Sequence, residues 1–268
     1  MNQVDSSPKQ VYTKIDGRLA MFKRKTDRAF WDDLYRGTPD NQLKRALRAT
    51  QNLGTHAKFF RRWIPQDGFL LEAGCGSGIW VSRLRENGYR CVGIDFALEN
   101  LMRSRKYRID LPLIGGDIFR LPFSNETFSC YLSFGVLEHL RNGARSFLME
   151  ARRILKRGGR LCISVPFENH FLRKVSLSTE ERAISHGLEF SHYFFKMDDV
   201  KRELVETGFE PQKAFHGYYV NIGLQNCLNL RFSIVKKILA ARIGLLLDFL
   251  PFLPSLAAHM VFTVAVRN

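Results

Sequence analysis

The chain has 268 residues, 45% hydrophobic and 25% charged, a balance that fits a globular domain with additions and excludes a disordered or fibrous chain. Its formal net charge of +15 suits an acidic partner (nucleic acid, an anionic membrane surface or a phosphorylated substrate) or serves solubility alone. Five cysteines, at 75, 91, 130, 162 and 227, form no C-x-x-C pair, so neither a zinc site nor a redox pair is signalled; a reducing, cytoplasmic setting is expected, and Met1–Asp5 carries no apolar signal-peptide core.

Residues 1–64 read as a basic, helical N-terminal extension or cap. Lys23-Arg24-Lys25 is a short basic run, and Phe30-Trp31-Asp32-Asp33-Leu34-Tyr35 is aromatic and compatible with a helix. Gly37-Thr38-Pro39-Asp40 breaks the chain, and further helix is expected through Leu43, Leu47, Phe59, Phe60 and Trp63 until Pro65.

The main domain is expected over 65–268. Phe69-Leu70-Leu71-Glu72-Ala73 is a short apolar strand, followed by Gly74, Gly76 and Gly78 and then a helix from Ile79. Such a turn lets the backbone reverse sharply and approach a ligand beside free helix N–H groups. A dinucleotide-binding turn, G-x-G-x-x-G, needs a final glycine where this chain has Ile79. Arg90–Asp95 is a second strand, ending in a carboxylate about 20 residues past the glycines, the place from which an acid reaches ribose hydroxyls. Leu113–Ile118 is a third strand with Asp117 near its end, and Ser129–Phe134 a fourth. Val136-Leu137-Glu138-His139 follows, then an amphipathic helix over 142–157 and a fifth strand from Arg160 to Val165.

Three blocks of this order, E-x-G-x-G-x-G at 72–78, G-D-I-x-x-L-P-F at 116–123 and V-L-E-H at 136–139, resemble the class I S-adenosylmethionine (SAM)-dependent methyltransferases. The resemblance implies an α/β, Rossmann-like, doubly wound seven-stranded sheet, its last strand antiparallel between strands five and six, here with a helical N-terminal extension and helical insertions. It implies SAM as cofactor, with Glu72, Gly74, Cys75, Gly76 and Gly78 at the turn, Asp95 and Phe96 at the ribose, Asp117 and Ile118 at the adenine, and Phe134 beside them. Ser129 stands where the family usually has aspartate. Some relatives bind a divalent metal through E-x-x-E-H; Gly135 replaces the first glutamate here, so no metal is expected. His139 has two readings, general base or orienting residue, and His192 in the 167–195 insertion is a second base candidate.

Met197–Gly208 reads as a helix, Phe209–Tyr219 as strand six and His259–Val266 as strand seven. Between those strands, 221–256 is an apolar insertion broken by Lys236, Lys237, Arg242 and Asp248, too interrupted to span a membrane. It suits a peripheral membrane contact, a roof over an apolar pocket, or a core or homodimer interface. The expected acceptor is a small molecule or lipid-linked metabolite, methylated on O, N or C. RNA is disfavoured: Ser133-Phe134-Gly135-Val136 lacks the prolines of [DNS]-P-P-Y, and neither a Pro-Cys pair nor an RNA-binding module is present. A SAM-binding protein without transfer activity is the third reading.

Overall fold

The structure is a computed structural model, described for residues 10–23, 37–48, 57–170, 172–216 and 260–268. The aromatic segment at 30–35, the apolar segment at 221–256 and Cys227 lie outside the described residues. Among the described residues no helix is long and apolar enough to cross a membrane.

In chain order the elements are β1 (Gln10–Ile15), β2 (Arg18–Lys23), α1 (Asp40–Arg48), α2 (Ala57–Trp63), β3 (Phe69–Ala73), α3 (Ile79–Glu86), β4 (Arg90–Asp95), α4 (Leu98–Arg105), β5 (Leu113–Gly115) and β6 (Phe128–Phe134). There follow a 3-10 turn (Leu137–His139), α5 (Arg145–Ile154), β7 (Leu155–Pro166), a second 3-10 turn (Leu172–Lys174), α6 (Glu180–Ser185), β8 (Glu189–Tyr193), α7 (Met197–Glu206), β9 (Phe209–His216) and β10 (Met260–Arg267). Seven strands form one sheet in the order β5-β4-β3-β6-β7-β10-β9. The ladders joining β5 through β7 are parallel, and β10 runs antiparallel to both neighbours, β7 and β9, as the motif resemblance implied.

Alternation along the strands sorts side chains onto two faces. Leu71, Tyr131, Leu161 and Ile163 join one core with Phe147 and Leu148 of α5 and Val200 and Leu204 of α7. Leu70, Cys130, Leu132 and Cys162 join the other with Leu43 and Leu47 of α1, Phe60 of α2 and Val81 of α3. Cys75, Cys91, Cys130 and Cys162 are all buried free thiols, consistent with their role as small hydrophobes.

The N-terminal extension is not wholly helical. Residues 10–23 form a hairpin, and with β8 they make a second, three-stranded antiparallel sheet in the order β1-β2-β8. Its signal is Asp16-Gly17, which sits at φ 49° and 79° between the paired Ile15 and Arg18. Positive φ at both central residues is the tight hairpin turn that Asp-Gly favours. The 167–195 insertion is likewise not purely helical, because it donates β8 to this sheet. Phe22 and Phe190 meet edge-to-face at 6.0 Å and join the core on the α5 side, together with Ala20 and Tyr193. Burying one such phenylalanine contributes roughly 1.5–3 kcal/mol, enough to anchor a short hairpin.

The helix expected over 142–157 is shorter, ending at Ile154. Leu155, fully buried and extended at φ −72°, ψ 141°, pairs with Phe128, whereas Cys130 already pairs with Arg160. The four residues Lys156–Gly159 therefore bulge from the ladder, and Lys156 and Arg157 lie exposed in the strand rather than in a last helical turn.

Candidate cofactor and acceptor site

β3 delivers the chain to the sheet's carboxyl edge, where Gly74, Gly76 and Gly78 adopt φ 73°, 53° and 68°. A side chain is strained at such angles. At Gly74 space is also closed: a Cβ would lie 2.3 Å from Val136 Cγ2, so the glycine turn and the V-L-E-H segment pack directly on each other. The Gly74 and Cys75 N–H groups both donate to Ile94 O, at 2.8 and 3.1 Å.

Two buried carboxylates hold this turn. Asp95, 5% exposed, accepts from Gly76 N–H through Oδ2 at 2.7 Å and from Ala97 N–H through Oδ1 at 2.8 Å. Glu72, 3% exposed, accepts from Val81 N–H in the first turn of α3 at 3.1 Å. Burial pushes the Glu72 carboxyl well above the ordinary range; the Val81 N–H opposes that shift and the Asp95 charge adds to it. Glu72 and Cys75 thus sit beneath the turn as its support, and burial raises the Cys75 thiol well above its usual value.

The sequence-derived cofactor residues come together along one edge. Asp95 ends β4 and Phe96 follows it, and Asp117 and Ile118 follow β5, whose Gly115 pairs with Asp95. Asp117 is exposed and accepts from Phe119 N–H at 2.8 Å; Phe96 is 42% exposed. Phe134 ends β6 on the other side of β3, where the sheet order reverses. Its ring packs among Phe60, Trp80 and Phe262 at centroid distances of 6.3, 6.3 and 5.8 Å. Four neighbouring strand ends at about 4.8 Å spacing give a groove about 14 Å long, and crevices at such switch points are where doubly wound sheets bind ligands.

Asn100 is a feature that sequence reading missed. It is 2% exposed and accepts from Ser77 Oγ–H at 3.1 Å through Oδ1, while its buried Nδ2 has no hydrogen-bond partner among the described residues. An unsatisfied buried donor beside the glycine turn fits a ligand oxygen or nitrogen there. Together with the paired carboxylates it makes the edge compatible with SAM: acceptors for ribose hydroxyls and an adenine amine, and backbone N–H groups near the amino-acid end.

Beyond β6 the chain turns through Gly135, at φ 74°, whose N–H donates to Ser164 O at 3.1 Å. Glu138 is 4% exposed and its Oε2 has no hydrogen-bond partner among the described residues; burial lifts its pKa to about 8, opposed by its own backbone N–H. His139 and His192 come together, with ring centroids 5.8 Å apart. His139 Nδ1 lies 2.6 Å from Ser191 O, and His192 Nδ1 lies 3.0 Å from Ser191 Oγ. Burial lowers the His139 pKa; the Ser191 carbonyl raises it and the Lys23 ammonium lowers it. Among the described residues no group of three or more His, Cys, Asp or Glu side chains is arranged to hold a metal.

A doubly wound sheet with glycine turn, strand-end acids and an antiparallel penultimate edge position defines a Rossmann-like methyltransferase fold. Residues 71–163 match the methyltransferase domain family. The chain is 37% identical over 98 residues to a demethylmenaquinone methyltransferase of Corynebacterium urealyticum, covering 35% of this chain and 40% of that protein. It is 30% identical over 154 residues to an uncharacterised protein of Methanocaldococcus jannaschii, covering 58% and 70%. The matched stretches span about half the length of the first curated relatives: 61%, 40% and 56%. Among solved structures, it resembles geranyl diphosphate C-methyltransferase from Streptomyces coelicolor, bound to Mg2+, geranyl diphosphate and S-adenosyl-L-homocysteine, with a TM-score of 0.56 at 15% identity, covering 90% of this chain and 97% of that one. It also resembles Haemonchus contortus phosphoethanolamine N-methyltransferase 2, bound to phosphomonomethylethanolamine and S-adenosylhomocysteine, with a TM-score of 0.58 at 15% identity, covering 93% and 62%. The chain belongs to the class I SAM-dependent methyltransferase family.

Proposed function

We propose that this protein transfers a methyl group from SAM to an O, N or C atom of a small-molecule or lipid-linked acceptor. The observation that carries this reading is the alignment, on four neighbouring strand ends, of the glycine turn, Asp95, Asp117 and Phe134. SAM, when bound, supplies an electrophilic methyl on a sulfonium that departs as a neutral thioether. The protein's own task is then to hold the acceptor in line and to take its proton where the nucleophile carries one.

Asp95, which fixes the Gly76 and Ala97 N–H groups, is the candidate acceptor for ribose hydroxyls. Asp117 and the Ile118 N–H are the candidate adenine contacts. His139 and His192 are the candidate bases, and the described geometry puts both at the V-L-E-H exit, which abuts the glycine turn through Val136. The apolar 221–256 segment supports a lipid-like acceptor or a peripheral membrane contact; cosedimentation with anionic liposomes at low and physiological salt tests it.

The net charge of +15 favours one second reading, an anionic acceptor such as RNA. Calorimetry with SAM, S-adenosylhomocysteine and NAD separates the cofactor classes. An assay of S-adenosylhomocysteine release against phenols, amines, lipid extracts and total RNA then separates the acceptors. Tight binding of NAD in place of SAM defeats the proposal, and turnover on RNA alone transfers it to the second reading.

A further inference from the structure

The second sheet places a bulge beside the candidate bases. Met21 of β2 pairs with His192 of β8, but the adjacent Phe22 pairs with Phe190, so Ser191 is the extra residue. A bulge re-aims the strand's side chains. Phe190 stays with Phe22 in the core, whereas His192 moves to the face that carries Met21 and, two residues on, Lys23. Ser191 then serves both histidines, His139 through its carbonyl and His192 through its hydroxyl.

A carbonyl oxygen only accepts, so His139 Nδ1 carries the hydrogen and, in the neutral ring, Nε2 carries the lone pair. Among the described residues, the titratable and charged groups around this ring include Lys23 from β2, His192 from β8 and Glu138 from its own turn. Arg141, two residues further on, is engaged by Glu180 of α6, and Glu189 of β8 lies opposite Lys23 in the ladder. Lys23 is half-buried, and that burial lowers its own pKa.

We propose that Lys23 and the Ser191 bulge are positioning elements of the acceptor site, that they hold His139 as a neutral Nδ1–H base, and that the acceptor's nucleophile is a weakly acidic hydroxyl, a phenol or an enol. This rests on the methyltransferase reading above and names its substrate class. A neutral imidazole suits a nucleophile that must lose a proton, and a nearby ammonium stabilises the oxyanion left behind. An amine nucleophile needs no such cation, and a protonated amine is repelled by it. In the proton step the acceptor O–H bond breaks, its electron pair stays on oxygen, and a new N–H bond forms at His139 Nε2. The resulting imidazolium keeps its Nδ1–H on the Ser191 carbonyl and later returns the proton to water.

Long-range 1H–15N spectra of the histidines read the tautomer and the His139 pKa directly, in the wild type, Lys23→Met and Lys23→Arg. The expected result is an Nδ1–H tautomer whose pKa rises by about half a unit or more in Lys23→Met, the Coulomb scale for one charge several ångströms away, and stays near the wild-type value in Lys23→Arg. With S-adenosylhomocysteine bound, 4-nitrophenol is titrated and followed by its phenolate absorbance. The bound probe is expected to ionise roughly tenfold more readily than in free solution, with the gain lost in Lys23→Met. An Nε2–H tautomer, a His139 pKa unmoved in folded Lys23→Met, or a nitrophenol that gains no acidity overturns the inference. Calorimetry of S-adenosylhomocysteine on the same samples is a separate readout: its failure defeats the methyltransferase reading, whereas retained binding with an unmoved His139 defeats this inference alone.

Discussion

Glu138→Gln isolates a buried carboxyl whose cost depends on pH. It is 4% exposed, Oε2 has no partner among the described residues, and burial raises its pKa from 4.5 to about 8. The folded pKa lies above the unfolded one, so the group's contribution is fully present below pH 4.5 and is lost as pH rises to about 8. Over the whole window the shift of about 3.5 units corresponds to nearly 5 kcal/mol, at about 1.4 kcal/mol per unit. Between pH 5 and 7 the unfolded chain releases this proton while the folded chain retains it, which costs the wild type on the order of 2–3 kcal/mol. Glutamine keeps the shape and a donor but does not titrate. Urea unfolding of both proteins at pH 5, 6, 7 and 8 is therefore expected to show a stability gap that widens in favour of Glu138→Gln by roughly 2–3 kcal/mol from pH 5 to 7, or about 5 °C in Tm for a chain of this size. The groups common to both proteins cancel in the difference. Parallel stability–pH curves would refute the reasoning and show that Glu138 ionises in the folded state.

Three further outcomes are expected. Asp95→Ala removes a charged acceptor for ribose, worth about 1.5–3 kcal/mol per hydrogen bond, so SAM affinity by calorimetry falls at least roughly tenfold in protein that keeps its circular dichroism spectrum. Asn100→Leu deletes the orphaned Nδ2 donor, and a loss of about 1 kcal/mol, roughly fivefold in SAM affinity, is expected; unchanged affinity would leave Asn100 a purely structural partner of Ser77. Because Gly135 stands where metal-binding relatives carry a glutamate, transferase activity is expected to survive EDTA, and a chelated enzyme rescued by magnesium or zinc would promote Glu138 and His139 to ligands.

The main sheet was legible in the sequence because each of its strands announces itself locally. Short apolar runs ending in Glu72, Asp95 or Asp117, with glycines where the chain turns at positive φ, need no long-range knowledge to be placed. The second sheet was harder. β1 and β2 alternate only weakly, since Thr13 is buried while Tyr12 and Met21 are partly open, and Asp16-Gly17 was the one local sign of the hairpin. β8 lies about 170 residues further on, and pairing across such a separation leaves no trace in either strand alone. The end of α5 was misplaced for a related reason. Helix periodicity continues through Leu155, but pairing with Phe128 captures that residue for the sheet. Tertiary pairing overrode local propensity there.

On the proposed reading, the two sheets divide the labour of the site. Backbone geometry governs the cofactor side: the left-handed glycines, the N–H groups held by Asp95 and the support from Glu72 all lie within 72–97. That part is encoded in a compact stretch, which is why it can be read as a motif. The proposed acceptor side draws on β2, the 3-10 turn after β6, and β8, segments near residues 23, 138 and 191 that meet only once the hairpin has docked on the core through Phe22 and Phe190. A change in this second sheet can therefore re-aim His192 or move Lys23 without disturbing the glycine turn. On the proposed reading, the turn sets the cofactor chemistry, and the hairpin and the Ser191 bulge set the choice of acceptor.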